Sequence, residues 1–121
     1  MRGLTAAQAD DIRQALHTAE RRSGLRFGVF LGEPAAGGRR HFAERLHAAL
    51  GAQAPDAVVV FVDFEGRGLE IVTGEQARRR LSDSACRLTA MSMATAFSVG
   101  DLVGGLLYGI AALGEQATAH R

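Results

Sequence analysis

With 121 residues, 47% of them hydrophobic and 22% charged, the chain has material for one core and not two, so a single domain over residues 1–121 is expected. A formal net charge of +1 sets up no whole-molecule field for nucleic acid, and no nucleic-acid partner is expected. All fourteen basic residues are Arg; with so much Ala and Gly, this reads as GC-rich coding bias rather than selection for phosphate contacts.

The first element opens at Leu4-Thr5-Ala6-Ala7-Gln8, a capping-box pattern in which Thr5 and Gln8 satisfy each other's backbone N–H groups. Ala9, Ile12, Leu16 and Ala19 then recur at helical spacing, and Gly24 after Arg21 and Arg22 marks the helix end. Leu25 to Leu31 alternates with period two, as a strand does. Glu33 to Gly38 is loop chemistry. Arg39 to Leu50 returns to helical period through Phe42, Leu46 and Leu50, and Gly51 closes it. After a short connection at Gln53 to Asp56, Ala57 to Val62 is an almost unbroken apolar run, the pattern of a central strand covered on both faces.

Phe64-Glu65-Gly66-Arg67 is a hairpin turn into Gly68 to Thr73, where Leu69 and Ile71 share one face and Glu70 and Val72 the other. That strand is expected to be half buried. Glu75 to Leu81 reads as a short helix with its arginines outward, and Ser82-Asp83 starts another, with Asp83 as candidate cap. Gly100-Asp101 starts the last helix, which packs Leu102, Leu106, Ile110 and Leu113. The order α-β-α-β-β-α-α-α, with a right-handed parallel crossover and one antiparallel hairpin strand, predicts an α/β/α sandwich on a small mixed sheet.

The single Cys86 can form no internal disulfide and reads as a small buried apolar residue. MRGLTAAQADD has no apolar signal core, and the longest apolar run, Leu102 to Leu113, is about twelve residues against the twenty or so a bilayer demands. A soluble, cytoplasmic chain without a transmembrane segment is the expectation; nothing in the sequence fixes its oligomeric state.

Five elements in this order resemble the TPM domain family, the thylakoid-phosphatase-like domains also found in bacteria. They are Leu4-Thr5, Asp56-Ala57-Val58-Val59-Val60, Leu69-Glu70-Ile71-Val72-Thr73-Gly74, Leu81-Ser82-Asp83, and Gly100-Asp101-Leu102-Val103-Gly104-Gly105-Leu106. Within that family the chain is most similar to a bacterial branch catalogued only as a domain of unknown function. The resemblance runs from about Leu4 to Gln116 and implies an α/β/α sandwich with an acidic site. It further implies one of two kinds of activity, phosphatase or calcium-binding function in some members and accessory roles in others.

Ligands in open α/β sheets collect beyond the carboxyl ends of parallel strands, here Gly32-Glu33 and Asp63-Phe64-Glu65. Asp63 and Glu65, with Asp83 if the following helix start folds back, are candidate ligands for Ca²⁺ or Mg²⁺, hard ions that take oxygen donors. Each also has an ordinary role, turn chemistry for Asp63 and Glu65 and helix capping for Asp83 and Asp101. Arg67 beside the turn and Arg78 are candidate phosphate or anion contacts, although Arg78-Arg79-Arg80 fans around its segment rather than forming one cleft. His17, His41, His47 and His120 lack metal spacing, and no serine sits in a nucleophile elbow. Gly104, Gly105 and Gly109 follow no strand, so they serve close helix packing, within the chain or against another one.

Two functions follow. The first is a non-catalytic binding or accessory module that presents its sheet rim or Gly-rich last helix to a protein partner. The second is a divalent-metal-dependent phosphatase using Asp63, Glu65 and Asp83.

Overall fold

A computed structural model describes residues 4–34 and 37–121. Its elements run α1 (Ala6–Ser23), β1 (Arg26–Leu31), α2 (Arg39–Ala48), β2 (Ala57–Asp63), β3 (Gly68–Thr73), α3 (Asp83–Ser98) and α4 (Leu102–Ala119), with 3-10 turns at Gly51–Asp56 and Ala77–Arg79. Of the loop expected at 33–38, residues 35 and 36 lie outside the described residues. The expected helix at Glu75 to Leu81 is only that second 3-10 turn, because Gln76 caps its start and Ser82 already caps the next helix.

Local chemistry sets the boundaries. Thr5 and Gln8 form the reciprocal capping box, both hydrogen bonds at 3.0 Å, which holds α1 at its start by about 1 kcal/mol. Gly24 ends α1 in the left-handed region at φ 79°, donating its N–H to Glu20 O at 2.7 Å. β1 then pairs parallel with β2 (Arg26↔Ala57 to Leu31↔Val62), and β3 returns antiparallel (Val58↔Thr73 to Asp63↔Gly68). The sheet order is β1-β2-β3, leaving the outer side of β3 without a neighbouring strand.

Every residue of β2 is buried, and its alternation divides the core. Val58, Val60 and Val62 join Phe27, Ile71, Met93, Phe97, Leu106 and Ile110 under α1, α3 and α4. Val59 and Phe61 face the other way with Val72, under Phe42, Ala43 and Leu46 of α2, where the Phe42 and Phe61 rings meet edge to face at 5.0 Å. The result is the expected α/β/α sandwich, with one helix on one face and three on the other.

The glycines of α4 are consumed inside this packing. A methyl group on Gly105 would sit 2.6 Å from the Phe97 ring, one on Gly109 would sit 2.3 Å from Met93 Sδ, and one on Gly114 would sit 3.0 Å from Ala19 Cβ. Gly104 lies under the Asp101 carboxylate, which caps α4 by accepting from Gly104 N at 2.8 Å. The Gly-rich face therefore lets α3 and α1 approach α4, as close helix packing within the chain requires.

Candidate functional site

The hairpin end of the sheet holds three of the residues nominated by sequence. Asp63, 8% exposed, closes the β2–β3 turn by accepting from Gly66 N at 3.0 Å through Oδ1, while Oδ2 lies 3.5 Å from Arg39 Nη2. The Arg39 guanidinium crosses over Gly68, where a side chain would meet it at 2.2 Å, and its buried Nε finds no acceptor among the described residues. Glu65 is exposed at the turn's apex. Arg67 adopts a left-handed conformation at φ 58° and reaches across to the C-terminal end of α3, donating to Phe97 O at 2.9 Å and Ser98 O at 3.2 Å. Its guanidinium also lies 5.9 Å from the Phe64 ring centroid, and Phe64 packs edge-on against Phe97 at 5.8 Å. A cation on the last carbonyls of a helix is a favourable cap, so Arg67 pins the hairpin to α3 through its Nη1.

Asp83 is elsewhere. Because the last turn of α3 sits at the hairpin, its first turn lies one helix length away, about 24 Å for 16 residues. The cap is Ser82, whose hydroxyl accepts from Ala85 N at 3.1 Å; Asp83 occupies the first helical position instead. Among the described residues no group of three or more His, Cys, Asp or Glu side chains could hold a metal ion. With Asp63 engaged by Arg39 and a backbone N–H, and Asp83 a helix length off, the residues do not fit a shared Ca²⁺ or Mg²⁺.

What the fold does bring together is a cleft of about 390 Å³ along the outer side of β3, between α2 and the first turns of α3. Arg40 from α2 donates to Ile71 O at 3.0 Å and also meets Glu44 (3.1 Å) and Glu70 (3.4 Å). Arg78 donates to Thr73 O at 2.8 Å. Arg87 and Asp83, one turn apart on α3, both line the cleft. Neither side chain makes an ion pair or hydrogen bond among the described residues. Ile71, Val72 and Thr73 are all buried although half burial is expected of this strand from sequence, because Val72 packs under α2 while Ile71 packs into the core on the other face.

The neighbouring arginines divide. Arg80 is half-buried, donating to Ser23 O and to Ala117 O and tying together the ends of α1 and α4. Arg79 stays exposed. The outward fan expected of Arg78-Arg79-Arg80 thus holds for Arg78 and Arg79, both exposed although Arg78 also meets the Thr73 carbonyl, while Arg80 turns inward to carbonyls of α1 and α4.

Cys86 lies buried at the cleft wall. Burial, then the Asp83 carboxylate, push its thiol up to about 11, with Arg40 acting weakly the other way. At neutral pH it is a neutral thiol and supplies no nucleophile.

Sequence reasoning nominated Arg78 and Asp83 but missed Arg40 and Arg87. Arg40 looks like an i,i+4 partner of Glu44, and Arg87 like ordinary helix surface; only the tertiary placement of both helices against β3 joins them.

The family profile described as a domain of unknown function (DUF5130) matches residues 4–114. The chain belongs to the DUF5130 family. It is 35% identical over 101 residues to the uncharacterized protein Rv2468c of Mycobacterium tuberculosis, a match covering 82% of this chain and 58% of that protein. A DUF5130 chain of this length thus spans under two thirds of its mycobacterial relative. The same backbone is found in the BA42 protein of Bizionia argentinensis, with a TM-score of 0.87 at 20% identity, covering 98% of this chain and 84% of that one. It is found again in the N-terminal domain of a P. gingivalis protein, with a TM-score of 0.82 at 17% identity, covering 93% and 75%. At these identities the likeness concerns the fold alone.

Proposed function

We propose that the chain is a non-catalytic binding module whose site is the cleft along β3, and that its ligand is an anionic stretch of a protein partner. One observation carries the reading: Arg78 and Arg87 line the same cleft, and neither meets a carboxylate among the described residues. Three guanidinium groups, of Arg40, Arg78 and Arg87, outnumber the two carboxylates, of Glu70 and Asp83, that line this concave surface, and within a screening length of about 8 Å that excess favours a further carboxylate. Catalysis would call for a nucleophile or base held by a second group, and the thiol at this wall is pushed the wrong way.

A TPM-like phosphatase acting through Asp63, Glu65 and Asp83 draws on the sequence resemblance alone, and no step is derived through a metal. The binding reading is tested by fluorescence anisotropy with labelled hexaglutamate. Saturable binding that weakens roughly tenfold in Arg78→Gln/Arg87→Gln supports it. Equal affinity of the variant, or no binding at millimolar peptide, rejects it.

A further inference from the structure

The ligand of this cleft can be specified further, on the footing of the binding reading above. We infer that the cleft takes an extended acidic segment of a partner protein as a fourth strand beside β3, with carboxylates two residues apart.

The hydrogen-bond phase of the sheet is the starting point. Gly74 N donates to Ala57 O at 2.9 Å, one step beyond the Val58↔Thr73 pair. Antiparallel ladders alternate, so Val72 and Glu70 also direct their backbone groups at β2, and Leu69, Ile71 and Thr73 direct theirs outward. Two of those outward carbonyls are occupied by side chains, Ile71 O by Arg40 and Thr73 O by Arg78. Among the described residues no side chain accepts from the outward N–H groups of Leu69, Ile71 or Thr73.

Edge strands are commonly guarded by charged side chains against unwanted pairing. Here the guards are arginines on surface elements, Arg78 held to the strand by the Thr73 carbonyl and Arg40 by the Ile71 carbonyl with the Glu70 carboxylate, and the cleft beside them is open. A strand arriving from a partner would supply its own N–H groups to Ile71 O and Thr73 O and release both guanidinium groups. It would also offer carbonyls to the outward amides. This is strand addition, in which main-chain hydrogen bonds give affinity and alternate side chains give specificity.

The spacing defines the specificity. Ile71 and Thr73 are two residues apart, about 6.7 Å along a strand. Arginines bonded to their carbonyls are therefore separated by about the repeat of same-face side chains in an extended peptide. Glu or Asp at alternate positions would meet the released Arg40 and Arg78 groups, while Arg87 on α3 adds a third cation at the same wall.

The experiment is a residue-resolved titration of the ¹⁵N-labelled chain with two peptides of one composition, Thr-Glu-Val-Glu-Thr-Gly and Thr-Glu-Glu-Val-Thr-Gly, together with amide hydrogen exchange. The alternate-carboxylate peptide is expected to bind at least fivefold tighter, to slow exchange of the Leu69, Ile71 and Thr73 amides, and to lose roughly fivefold in Arg87→Gln, whose side chain holds nothing in the fold. Equal binding of both peptides, or cleft shifts without slowed exchange, overturns strand addition while leaving the binding reading standing. No shift in the cleft with either peptide overturns both. Tighter binding of inorganic polyphosphate than of either peptide, at the same residues, overturns the peptide assignment.

Discussion

Replacing Arg67 separates a structural role from a ligand role. Its guanidinium makes two hydrogen bonds to the last carbonyls of α3 and lies against Phe64, while its backbone sits at φ 58°. In Arg67→Ala both carbonyls fall back on water, so the loss is modest, about 1 kcal/mol for the cap. The ring contact adds about 0.5 kcal/mol. In Arg67→Gly the same contacts are lost, but glycine adopts the left-handed region without the Cβ penalty, worth about 1 kcal/mol. The expected order of stability is therefore wild type, then Gly about 0.5 kcal/mol below, then Ala about 1.5 kcal/mol below. In urea denaturation at unchanged m-value this is a readable separation. Hexaglutamate affinity should be the same in all three. An Ala variant as stable as the Gly variant would refute the conformational argument, and weakened peptide binding in both would return Arg67 to the ligand site.

Other expectations concern the core, the thiol and the hairpin carboxylate. Gly74→Ala should cost at least about 2 kcal/mol in chemical denaturation, because the new methyl would lie 1.9 Å from the backbone oxygen of Ala54, which cannot rotate away. Cys86 should resist iodoacetamide in the folded protein at pH 7.5 and react at an ordinary rate once unfolded. Burial pushes its folded pKa up to about 11, above the ordinary thiol value of 9.0, so its contribution to stability is full below pH 9 and is lost as pH rises toward 11. Between those limits wild type should lose on the order of 2 kcal/mol relative to Cys86→Ala, measured by denaturation at each pH. Adding 5 mM Ca²⁺ or Mg²⁺ should leave the melting temperature unchanged, since Asp63 is already engaged by Arg39 and Gly66 N; a rise that Asp63→Asn abolishes would restore the metal reading.

The sequence carried the architecture because each element follows a local rule. Alternation in Leu25 to Leu31, the apolar run of β2 and the Thr5–Gln8 box are visible without any partner. Misreadings arose where distant segments decide the outcome. Glu75 to Leu81 has helical composition, yet Gly74 must lie flat against Ala54 and Ser82 already begins α3, leaving room for one turn. Asp63 and Asp83 are twenty residues apart in sequence, but the direction of α3 puts them at opposite ends of β3. The C-terminal end of α3 meets the hairpin where Phe97 packs edge-on against Phe64. The cleft itself is assembled from α2, β3 and α3, whose arginines look like ordinary solvated charge one helix at a time. Half-buried Arg80 shows the same limit from the other side: nothing within the Arg78-Arg79-Arg80 run distinguishes the residue that ties α1 to α4.

The central claim is that the β3 cleft is the binding surface. It is tested most directly by following backbone amide shifts of the ¹⁵N-labelled chain as hexaglutamate is added at low salt. The account expects saturable shifts confined to Leu69 to Thr73, Arg78 and Asp83 to Ala90, fading as salt is raised. Shifts centred on Asp63 to Arg67, or spread without saturation over all the arginines, would contradict it.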